Sequence, residues 1–176
     1  TYHTERHAAG ARVLFNTQAQ IALEEPGERF DPLRKLFNEL AQLEPVRRYL
    51  AEMVTGVATH YDLDQDSCSP LVGRLTPDDS LTTAEGPSSV ARLLHEGRGV
   101  LLALADHPEV RAEAAAWSRR VDYVTASIAE PSAVRDRDAI NGALLIRPDG
   151  YTAWHAPAGT PGLRPALARW FGPAES

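Results

Sequence analysis

Two histidines near the start of the chain have a spacing that could bind a metal. His3 and His7 stand four residues apart, so a helix would place both imidazoles on one face. The zinc-protease motif needs glutamate directly after the first histidine, whereas this chain has Thr4 there and Glu5 one position late. No third ligand is evident in the sequence. We therefore predict no metal site and expect this helix surface to pack against another part of the protein.

A second arrangement, Asp106-His107-Pro108, places a carboxylate and an imidazole just after a predicted strand. Ligands collect at the carboxyl ends of strands, so this position suits catalysis. The same three residues also form a common helix start, with aspartate as N-cap and proline in the first turn. We favour the helix start.

The other reactive or ligand-binding residue types give weaker indications. Cys68 is the only cysteine, which excludes a disulfide within the chain and any site built from several cysteines. No Gly-x-Ser-x-Gly elbow is present to expose a serine nucleophile. Gly97-Arg98-Gly99 lacks a third glycine and precedes a strand, so it predicts a turn and not a phosphate-binding loop. We nominate no catalytic, cofactor-binding or metal-binding residue.

Aromatic and charged clusters each have two interpretations. The large aromatic side chains of the C-terminal half could frame a pocket, but core packing and domain contact are commoner roles for Trp117, Trp154, Trp170 and Phe171. Two groups of charged residues have the pattern of solvated surface charge, namely Arg119-Arg120 and Arg135-Asp136-Arg137-Asp138.

The composition limits the classes of protein to which this chain can belong. With 176 residues, 43% of them hydrophobic, it can form a core in one domain with an extension or in two small units. A net charge of -6 gives no basic surface for nucleic acid. No apolar run approaches the roughly 20 residues of a membrane span, and the polar start is not a signal peptide. We expect a cytoplasmic protein with no nucleic-acid or membrane partner.

Three helices are predicted in the first third of the chain. Apolar spacing, proline and glycine place them at about 2–23, at 31–43 with Asp31 as N-cap, and at 45–56. Their apolar side chains exceed what one small domain is able to cover, and they include Leu14, Ile21, Leu36, Phe37, Tyr49 and Met53. The polar residues 62–70 then mark a domain edge.

The rest of the chain alternates strands and helices. Buried-strand patterns occur at 100–105 and 121–127, with an alanine-rich helix at 108–120 between them. A hairpin follows, and a helix at 161–171 closes the chain. The order predicts an α/β fold in which a helical segment precedes a domain with a mixed sheet.

The hairpin is predicted by the stretch ALLIRPDGYTAW, residues 143–154. Pro148 presets φ for the first corner of a turn, Asp149 suits the second corner, and Gly150 can take the positive φ that closes a hairpin with a bulge. We expect this turn to be scaffold and not a site.

The order strand, helix, strand, hairpin and helix resembles a thioredoxin-like domain. A working thioredoxin carries Cys-x-x-Cys where the first strand enters its helix, because one thiolate attacks and the other resolves the mixed disulfide. Here the residues are Ala105-Asp106-His107-Pro108-Glu109. The resemblance therefore implies a redox-inactive thioredoxin-like domain over residues 61–176.

A second resemblance covers essentially the whole chain. The segments YHTERH, GARVL and NTQAQ within residues 2–20 look like the helix after the second flavin-binding motif in FAD-dependent aromatic-ring hydroxylases. Residues 70–74, 97–102 and 147–154 resemble C-terminal segments of bacterial members that hydroxylate polyketides and rifamycin-type antibiotics. Those proteins end in a thioredoxin-like domain without the cysteine pair. Ala8 departs from the family, which usually has proline there.

The resemblance implies FAD, NAD(P)H and oxygen for the whole enzyme. Its FAD motifs, a Gly-x-Gly-x-x-Gly turn and a Gly-Asp pair, do not occur in this chain. We expect residues 1–60 to complete a catalytic module, with the N-terminal flavin-binding domain of the same protein as partner. Residues 61–176 would have a structural or interaction role, and we expect no cofactor and no activity for this chain alone. The alternative is a stand-alone thioredoxin-fold module that binds a partner or forms a homo-oligomer.

Overall fold

A computed structural model describes residues 2–63, 69–130 and 142–175 of the chain. The fold divides into two units, Thr1–Tyr61 and Asp62–Ser176. We call them the helical unit and the sheet unit. Across the described residues, no helix combines the length and the apolar character that a membrane span requires.

The helical unit contains three helices, α1 (Tyr2–Glu24), α2 (Asp31–Ala41) and α3 (Glu44–Thr55). The ends follow local sequence signals. Gly56 closes α3 in the left-handed region at φ 76°, which glycine adopts without the penalty of a Cβ.

The start of α2 differs from the prediction that Asp31 is its N-cap. A 3-10 turn, Glu28–Phe30, precedes the helix, and Phe30 holds the N-cap position. Asp31 is therefore the first helical residue, and its carboxylate lies 3.1 Å from the Arg34 guanidinium one turn later. The acidic group still favours the helix start because it faces the positive end of the helix dipole.

The sheet unit is built on one six-stranded mixed sheet in the order β2-β1-β4-β3-β5-β6. Within it, β3 and β4 pair in parallel and the other neighbours are antiparallel. This confirms the predicted α/β class with a mixed sheet. The strands are β1 (Ser80–Thr83), β2 (Gly86–Ser89), β3 (Gly99–Ala103), β4 (Val121–Glu130), β5 (Ala143–Ile146) and β6 (Thr152–Ala156).

Three helices accompany these strands, α4 (Val90–Leu93), α5 (Pro108–Ala114) and α6 (Leu163–Phe171). Side chains that alternate along β3 separate two apolar clusters. Leu101 and Ala103 pack with residues of α5 and α6, and Val100 and Leu102 pack on the other side with Leu81 and Val90. Every residue of β3 and β5 is buried, so these two strands form the centre of the core.

Several boundaries in the sheet unit differ from the predictions. The hairpin of β1 and β2 was not predicted, because its sequences SLTT and GPSS lack an apolar run. The helix predicted at 108–120 is shorter, since α5 ends at Ala114 and a 3-10 turn, Ala115–Trp117, follows. The strand predicted at 121–127 continues to Glu130, because its second half pairs with β1.

The predicted turn at 147–150 is present between β5 and β6. The Gly150 amide donates to the Arg147 carbonyl at 2.9 Å, and Gly150 has φ 85°. These are the features of a type I turn followed by a glycine in the left-handed region. The turn joins two strands of the core sheet, as a scaffold element does.

Candidate interaction surface on the helical segment

The helical unit has no buried apolar cluster among its described residues, although Tyr61 at its end is buried. Eleven large apolar side chains are exposed on its three helices and in the turns that follow α2 and α3. They are Val13, Leu14, Phe15, Ile21, Leu33, Leu36, Leu40, Leu43, Tyr49, Val54 and Val57. In the described part of the sheet unit, the one comparable side chain is Leu75. The exposed apolar surface is therefore concentrated in the helical unit.

The apolar stripe of α2 shows how this surface arises. Leu33, Leu36 and Leu40 recur at intervals of three and four, which places them along one side of the helix, and Leu43 follows in the turn after α2. All four are exposed, whereas Phe37 and Ala41 on a neighbouring line are partly covered. A helix of a folded protein normally buries such a stripe, so this one requires a covering surface.

Two polar contacts connect the helices of the helical unit. The Arg12 guanidinium on α1 donates to the Tyr49 hydroxyl on α3 at 2.6 Å. Arg34 on α2 donates to the backbone carbonyl of Glu25 at 2.8 Å, which fixes the connection between α1 and α2. These bonds hold the helices in register and leave the apolar side chains uncovered.

The size of the driving force can be estimated from burial. Transfer of a leucine, isoleucine or phenylalanine side chain out of water contributes roughly 1.5–3 kcal/mol when burial is complete. Leu14, Phe15 and Ile21 on α1 alone are 64%, 63% and 58% exposed. Covering this surface would contribute several kcal/mol, which is comparable to the stability of a small domain. The prediction of excess apolar surface is confirmed for Leu14, Ile21, Leu36 and Tyr49, while Phe37 and Met53 are partly covered.

The two histidines of α1 are brought together as their spacing predicted. The ring centroids of His3 and His7 lie 5.7 Å apart, at an interplanar angle of 43°. Both residues are exposed, and the described residues contain no group of three potential metal ligands. The pair therefore belongs to the exposed surface of α1.

The Asp106-His107 arrangement is a helix start, but the predicted cap is wrong. His107 and not Asp106 occupies the N-cap position of α5, and its carbonyl accepts from the Arg111 amide at 3.0 Å. Asp106 instead forms an ion pair of 2.7 Å with Arg111. The guanidinium of Arg111 also lies over the ring of Tyr123, 5.2 Å from its centroid. Asp106 thus stabilises the start of α5 through its ion pair with Arg111. Pro108 lies in the first turn of α5 as predicted.

The aromatic residues of the sheet unit pack in the core as predicted. Trp117 is 1% exposed, and its indole donates to the Gly172 carbonyl at 2.8 Å. The buried Trp154 donates to the Pro161 carbonyl at 2.8 Å. Trp170 has two guanidinium groups over its ring, with Arg147 4.5 Å and Arg169 5.0 Å from the ring centroid. Trp117 and Trp154 thus use the polar N–H of the indole, whereas Trp170 uses the face of its ring.

Arg120 contradicts the prediction of solvated charge. Its guanidinium donates to the carbonyls of Phe171 and Pro173 and lies 3.4 Å from the Glu175 carboxylate. The Glu175 amide in turn donates to the Ala116 carbonyl at 2.7 Å. Arg120 therefore fixes the C-terminal tail, whereas its neighbour Arg119 is exposed as predicted. No local pattern predicts this contact, because the partners are about fifty residues apart.

The segment before β3 was predicted to be a turn. Gly97 has φ 70° and its amide donates to the Leu94 carbonyl, so the segment before β3 is a turn, as predicted. Cys68 and residues 135–138 lie outside the described residues.

The sequence analysis did not predict the pair formed by Ser69 and His155. The Ser69 Oγ and His155 Nδ1 atoms lie 2.8 Å apart, and this contact joins the start of the sheet unit to β6.

The described residues thus define an α/β domain with a well-packed core and, before it, three helices with an exposed apolar surface. The family model of the C-terminal domain of aromatic-ring hydroxylases matches residues 69–174. The chain therefore belongs to this family, and the resemblance noted in the sequence is confirmed.

Curated relatives match this chain over almost its whole length. It is 42% identical over 178 residues to 12-dehydrotetracycline 5-monooxygenase/anhydrotetracycline 6-monooxygenase of Streptomyces rimosus, a match that covers 98% of this chain and 34% of the relative. It is 45% identical over 175 residues to dialkyldecalin synthase of Streptomyces rugosporus, covering 99% of this chain and 32% of that protein. The chain thus spans about a third of the length of these relatives.

The fold matches solved structures equally well. CabE, an aromatic hydroxylase from angucycline biosynthesis, superposes with a TM-score of 0.88 at 46% identity. That match covers 99% of this chain and 35% of CabE.

Proposed function

We propose that this chain functions as the C-terminal third of a flavin-dependent monooxygenase that hydroxylates aromatic, polyketide-type substrates. The observation that carries the proposal is the exposed apolar surface of the helical unit. Relatives that match the whole chain have about two thirds of their length outside the match, and that part is large enough to cover this surface. The partner we propose is therefore the N-terminal, flavin-binding part of the same protein.

The two units have different roles in this proposal. Residues 1–60 complete the catalytic module by packing against it. Residues 61–176 form a thioredoxin-like domain with a structural or interaction role, in the cytoplasm. The order of β3, α5, β4, the hairpin of β5 and β6, and α6 supports this interpretation. The absence of cysteine from residues 105–109 removes dithiol exchange from its chemistry.

The connection between β3 and α5 does not fit FAD. Dinucleotide sites use a glycine-rich turn between a parallel strand and a helix, so that the pyrophosphate approaches bare backbone amides. The corresponding connection, between β3 and α5, carries the Asp106 carboxylate, which repels phosphate, and Pro108, which lacks an amide hydrogen. In this proposal the flavin and NAD(P)H of the whole enzyme are bound outside this connection, and the flavin would supply the activation of oxygen there.

A second candidate function comes from the dialkyldecalin synthase. At 45% identity, its corresponding region is as similar to this chain as that of the tetracycline monooxygenase. The second candidate is therefore that the whole protein is a synthase of this kind and not a monooxygenase. In that case the substrate would gain no oxygen atom.

The test uses the extended protein, by which we mean this chain together with the sequence encoded immediately upstream in its gene. We expect the purified extended protein to bind flavin, to oxidise NAD(P)H faster when an aromatic polyketide is present, and to add one oxygen atom to it. A product isomeric with its substrate would support the second candidate. An extended protein without flavin would contradict the proposal.

A further inference from the structure

One edge of the sheet collects most of the described arginines of the sheet unit. The strands β3, β4 and β6 begin at this edge and β5 ends there, because β4 and β6 run in the same direction as β3 and β5 runs opposite to them. We call it the arginine edge. Its arginines are Arg74, Arg98, Arg119, Arg120, Arg147 and Arg169. Elsewhere in the described sheet unit the arginines are Arg92, Arg111 and Arg164.

Strand boundaries place four of these arginines. Arg98 directly precedes β3, and Arg147 directly follows β5. Arg119 and Arg120 directly precede β4. The Gly99 amide donates to the Arg120 carbonyl at 3.0 Å, which holds the starts of β3 and β4 side by side. The four arginines therefore lie at the same end of three neighbouring strands.

Contacts place the other two arginines. The Arg74 carbonyl accepts from the Thr152 amide at 2.9 Å, so Arg74 lies beside the start of β6. Arg169 lies near the end of α6, and its guanidinium and that of Arg147 both lie over the ring of Trp170. The arginine edge thus spans β4, β3, β5 and β6, and a strand spacing of about 4.8 Å makes it about 15 Å wide.

Half of these arginines have an opposite charge beside them. The ion pairs are Arg98 with Asp122, Arg120 with Glu175, and Arg147 with Asp149. These three guanidinium groups are neutralised within the sheet unit.

Arg74, Arg119 and Arg169 are exposed and have no ion pair among the described residues. Glu96, in the turn before β3, is exposed and offsets part of their charge. The sheet unit as a whole has 11 arginines against 16 carboxylates. The arginine edge is therefore a positive surface on an acidic unit.

Aromatic rings lie among the arginines of this edge. Trp170 and Phe171 at the end of α6 and Tyr151 before β6 are partly exposed. A guanidinium held over an indole keeps its charge accessible and loses little conformational freedom on binding. Arginine and aromatic residues are enriched in protein interfaces, whereas lysine is depleted there and is absent from the sheet unit. The composition is that of a protein-binding surface.

We propose that the arginine edge is a docking surface for an acidic helix of a partner protein, whose carboxylates pair with Arg74, Arg119 and Arg169. An α-helix with its side chains is about 10–12 Å across, so one helix fits an edge of this width. The net charge of -6 on the whole chain disfavours an extended polyanion such as nucleic acid or an anionic membrane. The inference concerns the sheet unit alone and goes beyond the proposed function.

The experiment measures the binding of an acidic helical peptide to the extended protein. The probe is a fluorescein-labelled, lactam-stapled helix of about 15 residues with glutamates three and four positions apart along one side. The control peptide has glutamine at the same positions. Fluorescence polarisation is measured in about 50 mM and about 300 mM NaCl. Phosphatidylglycerol vesicles and a single-stranded oligonucleotide are tested as other anions.

Two sets of substitutions change the net charge of the protein equally. The edge variant carries Arg74→Gln, Arg119→Gln and Arg169→Gln. The matched control carries Arg92→Gln, Arg111→Gln and Arg164→Gln. The replaced edge residues are exposed and unpaired, so the edge variant should keep the Tm of the parent. The single variant Arg169→Gln keeps the test valid if either set lowers the Tm.

We expect the glutamate peptide to bind and the glutamine peptide not to bind. The edge variant should raise the Kd at least roughly 10-fold, and the matched control should change it less than roughly 2-fold. The higher salt concentration should weaken binding by roughly 10-fold.

No binding of the glutamate peptide, or equal losses in the edge variant and the matched control, would overturn the inference. Tighter binding of the vesicles or the oligonucleotide than of the peptide would assign the edge to a phosphate-bearing partner and would also overturn it. Self-association of the extended protein that the edge variant abolishes would identify a second copy as the occupant and contradict our assignment.

Discussion

Gly150→Val tests whether the turn between β5 and β6 is scaffold. Gly150 has φ 85°, a region that a β-branched residue adopts at a strain of about 1–3 kcal/mol. A Cβ at this position would also lie 3.1 Å from Leu75 Cδ1, a partly exposed atom group that can move. The backbone cannot rotate freely to relieve the strain, because the Gly150 carbonyl accepts from the Thr76 amide at 2.8 Å. We therefore expect a loss of about 2 kcal/mol in the free energy of unfolding.

The measurement is denaturant unfolding followed by tryptophan fluorescence. All three tryptophans of the chain lie in the sheet unit, so the signal reports on that unit. A loss of about 2 kcal/mol corresponds to a decrease of roughly 8 °C in Tm for a unit of this size. The matched control is Gly150→Asn, which places a Cβ at the same point but tolerates positive φ. Equal losses for valine and asparagine, or an unchanged stability with valine, would refute the strain argument.

Four further predictions concern single residues. Gly142→Ala should lower the stability of the sheet unit by more than about 3 kcal/mol, because φ is 90° and the Cβ would meet the backbone of Ala156 and Pro157; a calorimetric Tm near that of the parent would contradict this. Arg120→Gln should lower stability by about 1–3 kcal/mol and make the C-terminal tail sensitive to carboxypeptidase, whereas Arg119→Gln changes neither. Asp149→Asn should change stability by about 1 kcal/mol or less, since the pair with Arg147 is partly exposed and asparagine keeps an acceptor for it. A larger loss in urea unfolding would show that the charge of Asp149 matters more. Cys68→Ser should leave turnover of the extended protein unchanged, because a lone cysteine has no resolving partner, and a decrease in kcat beyond the loss of folded protein would indicate a redox role.

Local signals explain which elements could be predicted from the sequence. The turn at 147–150 was predicted because proline fixes its own φ, aspartate suits the second corner and glycine adopts positive φ without strain. The end of α3 at Gly56 and the buried strand β3 follow from equally local patterns. The two-residue error at the end of α2 lies within the range in which helix ends fray.

Contacts between distant residues explain the errors. β1 has one buried side chain, Leu81, and becomes a strand because β2 and β4 pair with it on either side. The role of Arg120 depends on carbonyls of the C-terminal tail. Asp106 has a side chain that suits an N-cap, but His107 holds that position. Asp106 precedes the cap by one residue and pairs with Arg111 of the helix.

The sequence predicts that the helical unit exposes apolar surface, but it does not predict which sides of the helices carry that surface. The number of apolar residues in 2–56 predicts an excess, because three helices alone cannot bury so many. The covered side of α1 required the structure, since apolar residues occur on several of its sides. Ala9, Asn16 and Leu23 are partly covered, whereas the larger apolar side chains of Leu14 and Phe15 are exposed.

Amide hydrogen exchange of the 176-residue chain and of the extended protein tests the central claim most directly. The claim is that the helical unit is one side of an interface, whereas the sheet unit has its own core. We predict fast exchange over residues 2–61 in the monomeric 176-residue chain, strong slowing of the same amides in the extended protein, and equal, slow exchange of β3 and β5 in both. Slow exchange throughout residues 2–61 in a demonstrated monomer of the 176-residue chain would contradict the account.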